Sequence, residues 1–293
     1  MSAGEARANG QAILVICIGI VCLVVNDAFA KWLTAYYPPL QIIFVRNLLA
    51  MPMITAIVLS LGGPRALQTR HPGIHALRGL LMVGGAYTFF IGLKFLPLAE
   101  ATSLIFAAPI FITALSVPLL RERVGWRRWA AVVVGFVGVL IIVRPGAATF
   151  QPASLFVVAT AMFYALGMIS ARWIDRGEDV WRLMFYMVLF PLVFSAVMVP
   201  FIWQTLQVAH LPLFLGMAVF GSLGMTLISQ SFRMGPAAVV APFEYTALIW
   251  ASLLGWLVWG DIPGLWIYAG AAVIIASGIY IVARETGDRN ADG

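Results

Sequence analysis

Few side chains in this sequence can do chemistry, and those few stand in otherwise apolar segments. Glu244 is followed by Tyr245 and has no counter-charge in its own segment. An ionisable group in hydrocarbon is costly and marks function by default. Three roles are open to Glu244: proton carrier, binder of a substrate ammonium, or acceptor for the ends of neighbouring helices. Asp27 and Lys31 are four residues apart and share one helical face, and Arg46 falls at a similar depth in the next apolar segment. These three charges make either an ion-pair staple, with Lys31 and Arg46 snorkelling to the surface, or a gate that forms and breaks. Tyr87, Tyr164 and Ser222 lie near mid-depth and, with Glu244 and Tyr245, are the candidate substrate-binding residues. Aromatic walls with a few polar anchors suit an amphipathic small molecule. Gly85 and Gly224, 139 residues apart (224 − 85 = 139), serve either as hinges or as points of close helix packing.

No catalytic constellation accompanies them. His71, His75 and His210 fall in loops or at helix ends with no ligand-like grouping. Cys17 and Cys22 share one helix at a spacing that does not bring them together. Neither a metal nor a cofactor is expected. A membrane-embedded enzyme would need paired carboxylates, clustered histidines or a serine with its base, and the apolar segments offer none of these.

The elements that must position these residues are membrane helices. The 293 residues are 62% hydrophobic and 10% charged, with a mean hydropathy of +0.97, against about 45–50% and about 25% in soluble domains. At about twenty residues per crossing, ten spans follow: 12–34, 40–61, 75–95, 97–120, 125–144, 153–173, 180–202, 211–232, 236–258 and 264–283. Pro109, Pro118, Pro191 and Pro242 fall inside spans four, seven and nine and are expected to kink them without breaking them.

Charge sets the orientation. The net charge of +6 resides in short groups between spans rather than in a basic stripe, so the lipid bilayer is expected as a partner and nucleic acid is not. With both termini in the cytoplasm, inner loops and tails hold 14 of the 18 Lys and Arg. Lys31, Lys94 and Arg144 lie near the outer ends, and Arg46 lies within a span. The expected location is the inner (cytoplasmic) membrane.

The chain also reads as a duplication. The stretch from Pro97 to Arg144 aligns without gaps on Pro236 to Ala283, with Glu122 on Asp261. Farther back, after a two-residue slip, Ala30-Lys31-Trp32-Leu33 meets Ala171-Arg172-Trp173-Ile174. The single membrane domain therefore divides into five-helix repeats at 12–144 and 153–283. Five crossings is an odd number, so the second repeat enters from the opposite side. The expected fold is an all-α integral membrane protein of ten transmembrane helices in two inverted repeats, the plan of carriers with alternating access.

These residues resemble the drug/metabolite transporter superfamily, specifically its EamA-type ten-helix members. The resemblance covers essentially the whole chain. It rests on the five-plus-five plan, the Pro97-Leu98-Ala99-Glu100-Ala101-Thr102 opening of span four, the Arg121-Glu122-Arg123 turn, Gly135 and Gly138, and Arg46 in span two. Ile274 stands where the second half would match Gly135. The resemblance implies a carrier of small metabolites with spans five and ten outside its cavity. The size and aromatic richness are similar to the superfamily's aromatic amino-acid exporters, so export of aromatic or other neutral amino acids is the main expectation. Uptake of a nucleoside or vitamin is the alternative, a channel or enzyme reading ranks lower, and proton coupling through Glu244 remains open.

Overall fold

A computed structural model describes residues 3–121, 124–147, 150–171, 173 and 180–291. The chain runs through α1 (Ala3–Leu33), α2 (Pro39–Gly62), α3 (Pro72–Phe95), α4 (Leu98–Ile105), α5 (Ala108–Leu120), α6 (Trp126–Val143), α7 (Ala153–Ala171), α8 (Val180–Ile202), α9 (Leu211–Met234), α10 (Ala237–Val240), α11 (Ala247–Trp259) and α12 (Leu265–Ala291). Among the described residues nine segments are long and apolar enough to cross a membrane, counting 98–120 and 241–259 as one crossing each. Leu265–Ile281 adds a shorter apolar tenth. Among the described residues each of the ten expected spans is largely helical.

Proline sets several boundaries. Pro39 and Pro72 occupy first-turn positions of α2 and α3, where a missing N–H costs nothing. Span four is not merely kinked: it breaks at Phe106 and Ala107 and restarts with Pro109 in the first turn of α5. Span nine likewise passes through a 3-10 segment at Ala241–Thr246, with Pro242 at its start, between α10 and α11. Both breaks correct the expectation of continuous helices. A proline ring clashes with the carbonyl four residues back and offers no N–H, so the helix ends before it and begins again around it. Pro118 and Pro191 remain inside unbroken α5 and α8.

The breaks are copies of one another. Phe106 and Tyr245 are 139 residues apart (245 − 106 = 139), and their rings meet edge to face with centroids 5.0 Å apart. The cap residues keep the same register. Leu96 and Gly235 are extended after α3 and α9, while Arg121 and Gly260 are left-handed after α5 and α11, at φ 56° and 72°.

Packing follows the same exchange. α1 lies along α9 and α7 along α3, while α2 pairs with α8, α4 with α11, and α6 with α12. Swapping the first five spans for the last five maps this set of pairs onto itself. Small residues allow the close approaches, as expected where lipid supplies no hydrophobic drive between helices. A Cβ at Gly138 would lie 2.9 Å from the Gly270 carbonyl oxygen, and one at Gly270 would lie 2.7 Å from that of Gly138. Gly19 of α1 and Gly224 of α9 make the equivalent contact. α6 and α12 join the rest chiefly through α4, α5 and α10, and their far faces expose Val133, Val137, Trp266 and Tyr268. They are peripheral to the other eight spans.

Candidate functional site

The charged candidates named from the sequence lie in three clusters, starting from the end where α1 meets the turn before α4. Lys31 Nζ donates 2.6 Å to the Leu96 carbonyl and lies 3.5 Å from Asp261 Oδ2, over the Trp259 ring at 5.2 Å. It also interacts electrostatically with Glu100, whose Oε1 accepts from Ser154 Oγ at 3.3 Å. One ammonium thus ties α1 to the α3–α4 turn and to the α11–α12 loop. Lys31 does not pair with Asp27 four residues earlier, because its long stem reaches back toward the membrane surface.

About 6–8 Å deeper along α1, at 1.5 Å per residue, comes the second cluster. Asn26 Nδ2 donates to Asp27 Oδ1 at 2.9 Å, and the Asp27 carboxylate interacts with the Arg46 guanidinium without a hydrogen bond or ion pair closing between them. Asn26 and Arg46 sit against Gly221 of α9. A Cβ there would lie 2.7 Å from Asn26 Oδ1 and 2.8 Å from Arg46 Nη2. Of the three charges grouped by sequence, Asp27 and Arg46 stay together and Lys31 belongs elsewhere.

The third cluster lies at the break of span nine. Glu244 sits within the 3-10 segment, in electrostatic reach of Tyr164 on α7 and of its neighbour Tyr245. No hydrogen-bond donor meets its carboxylate among the described residues, so the role of helix-end acceptor finds no partner here. Tyr245 points its hydroxyl toward Gly278 of α12 and its ring onto Phe106, which makes it a packing residue as well as a neighbour of the carboxylate. Tyr164 is 45% exposed and Tyr87 39%, and Ser222 is buried beside Gly221.

The two glycines differ from one another. α3 and α9 run unbroken through Gly85 and Gly224. A Cβ at Gly85 would meet Phe163 Cβ at an ordinary 3.4 Å, while one at Gly224 would lie 2.9 Å from the Gly19 carbonyl oxygen. Gly224 is a packing glycine, and the interruptions occur instead in spans four and nine. Neighbouring polar fastenings include Thr88 with Thr160 at 2.8 Å, and Gln41, whose amide donates to the Gln204 carbonyl and accepts from the Gln204 N–H. The Lys31–Asp261 pair is not legible in the sequence, where Asp261 stands only as the counterpart of Glu122. Glu122 and Arg172 lie outside the described residues.

Comparison with known proteins agrees with this architecture. The model of the EamA-like transporter family matches residues 10–144 and again residues 151–284. An S-adenosylmethionine uptake transporter of Rickettsia bellii is 29% identical over 269 residues, covering 92% of each chain. A riboflavin transporter of Vibrio cholerae is 29% identical over 280 residues, covering 94% of this chain and 93% of its own. A solved crystal structure, 20% identical and covering 93% of this chain and 96% of its own, superimposes with a TM-score of 0.62, a likeness of fold alone.

Proposed function

We propose that this chain, which belongs to the EamA-like transporter family, is an uptake carrier for a flat nitrogen heteroaromatic joined to a hydroxylated five-carbon chain. The observation that carries the reading is the near full-length likeness to transporters named for S-adenosylmethionine and for riboflavin. Those molecules share a fused nitrogen heterocycle and a ribose or ribityl chain. Only the first has an amino-acid end. This likeness favours the nucleoside or vitamin alternative over amino-acid export.

In this reading Tyr87 and Tyr164 supply ring surface, Ser222 a hydroxyl, and Glu244 an acceptor or proton site at the break. The carrier works by alternating access in the bacterial inner membrane, with both termini in the cytoplasm and inverted repeats at 12–144 and 153–283 exchanging their packing. Lys31, held by Asp261 and the Leu96 carbonyl, acts as the outer latch. A partly exposed pair of this kind is worth about 1 kcal/mol, or about a fivefold shift in population. Lys31→Met is therefore expected to raise the maleimide labelling rate of a Ser222→Cys reporter about fivefold in detergent. An unchanged rate removes Lys31 from the latch.

Counterflow in proteoliposomes tests the function. Vesicles loaded with unlabelled riboflavin or S-adenosylmethionine are expected to take up the same labelled compound against its gradient, saturably, and to ignore labelled tryptophan and phenylalanine. Exchange of the amino acids alone would overturn the reading in favour of the amino-acid carrier.

A further inference from the structure

The second cluster holds a buried donor and a buried acceptor that do not satisfy one another. Asn26 is 5% exposed. Its Nδ2 donates to Asp27 Oδ1, which leaves the amide Oδ1 on the other side. Oδ1 then faces Gly221, and neither it nor Arg46 Nε has a hydrogen-bond partner. Buried polar atoms in native proteins are almost always paired, and each exception calls for an explanation. Here three helices hold the orphans in place. Asn26 is anchored on α1 by Asp27, Arg46 projects from α2 under the pull of the Asp27 carboxyl group, and both rest against Gly221 of α9. A Cβ at 221 would already collide with both side chains, so a substrate group meets the two atoms only where α9 stands away from α1 and α2.

We infer that Asn26 and Arg46 form a paired recognition site, at Gly221, for a substrate group that presents one acceptor beside one donor. Arg46 donates to the acceptor, and Asn26 Oδ1 takes the donor. This inference rests on the heteroaromatic reading above. Two chemistries carry such an edge: the imide of a flavin-type ring, with C=O next to N–H, and an amino-acid end, with carboxylate next to ammonium. A ligand of either kind satisfies both orphans at once. An apolar or donor-only group leaves one buried and unmet, which is how a hydrogen-bonding site rejects analogues. The site lies about 6–8 Å deeper along α1 than the Lys31 latch, at 1.5 Å per residue.

The test removes the ligand group and the side chain in turn. Binding of riboflavin and 3-methylriboflavin, and of S-adenosylmethionine and its decarboxylated form, is measured on the purified full-length chain in detergent. The parent is expected to prefer the intact member of one pair about tenfold or more. Asn26→Ala is expected to erase a preference for the free imide N–H, and Arg46→Lys to erase most of a preference for the carboxylate. Asn26→Ser serves as a second variant if the alanine form does not elute as a single species. A general disturbance of structure would weaken both members of a pair equally and leave their ratio intact. If the parent discriminates and the ratio survives every substitution, the paired site is wrong while the heteroaromatic reading stands. If the parent binds none of the four ligands, that reading falls and takes this inference with it.

Discussion

Gly224→Leu is expected to lower the fraction of correctly folded protein more than any other single glycine replacement in the α1–α9 seam. A Cβ at 224 would stand 2.9 Å from the Gly19 carbonyl oxygen and from Leu23 Cδ2, and a Cβ at Gly19 would stand 3.1 Å from the Gly224 oxygen. A carbonyl oxygen inside a helix cannot rotate aside, so the two helices must separate. Overpacking of this kind costs about 1–3 kcal/mol for added methylenes in a core, and a whole isobutyl group between backbones belongs at the top of that range or above it. Gly221 is one turn away on α9, so separation also draws Asn26 away from Gly221. The control is Gly85→Ala, where the new methyl meets only an ordinary 3.4 Å contact. Exchanging glycine for alanine in a helix interior is there worth up to about 1 kcal/mol in favour of the variant. Thermal melting followed by size-exclusion chromatography separates the two. Equal melting of Gly224→Leu and the parent would show that the seam does not depend on this contact.

The second large effect is expected at Glu244. Glu244→Gln keeps the shape and removes the charge, and no donor in the described structure relies on that charge. Folding should survive while counterflow falls about 10- to 100-fold, the size of one lost charge-assisted contact. Measuring binding as well divides the remaining roles. Retained affinity with lost accumulation makes Glu244 a proton carrier, and lost affinity makes it a ligand to substrate. Unaltered counterflow would remove the residue from the site.

What the sequence made legible was whatever depends on the bilayer's thickness. A crossing needs about twenty apolar residues, so the spans are readable from hydropathy, and the 139-residue register is readable from Pro97 and Pro236. Pro109 and Pro242 were visible, but hydropathy is the same for a kinked and a broken span, so the interruptions at 106–107 and 241–246 were not. The site was harder. The helical four-residue rule placed Lys31 beside Asp27, whereas its partner lies 230 residues away at the membrane surface, where a long flexible cation costs least. Asp27 with Arg46 was legible because two opposite charges at equal depth in adjacent helices have few other partners. In the sequence Asn26 is one amide in an apolar span; the third helix, with glycine at 221, distinguishes it.

The contact between Phe106 and Tyr245 places equivalent positions of the two halves against each other, next to the axis that relates them. Were the halves two identical chains joined by that axis, every residue beside it would occur twice at short range. Two carboxylates at the positions of Ile105 and Glu244 (244 − 105 = 139) would repel each other in a medium that screens little. A single covalent chain is free of that constraint. It can keep the rings that pack well as a matched pair and place one lone acid at a spot where two could not coexist, so the duplication makes room for an asymmetric centre inside a nearly symmetric frame.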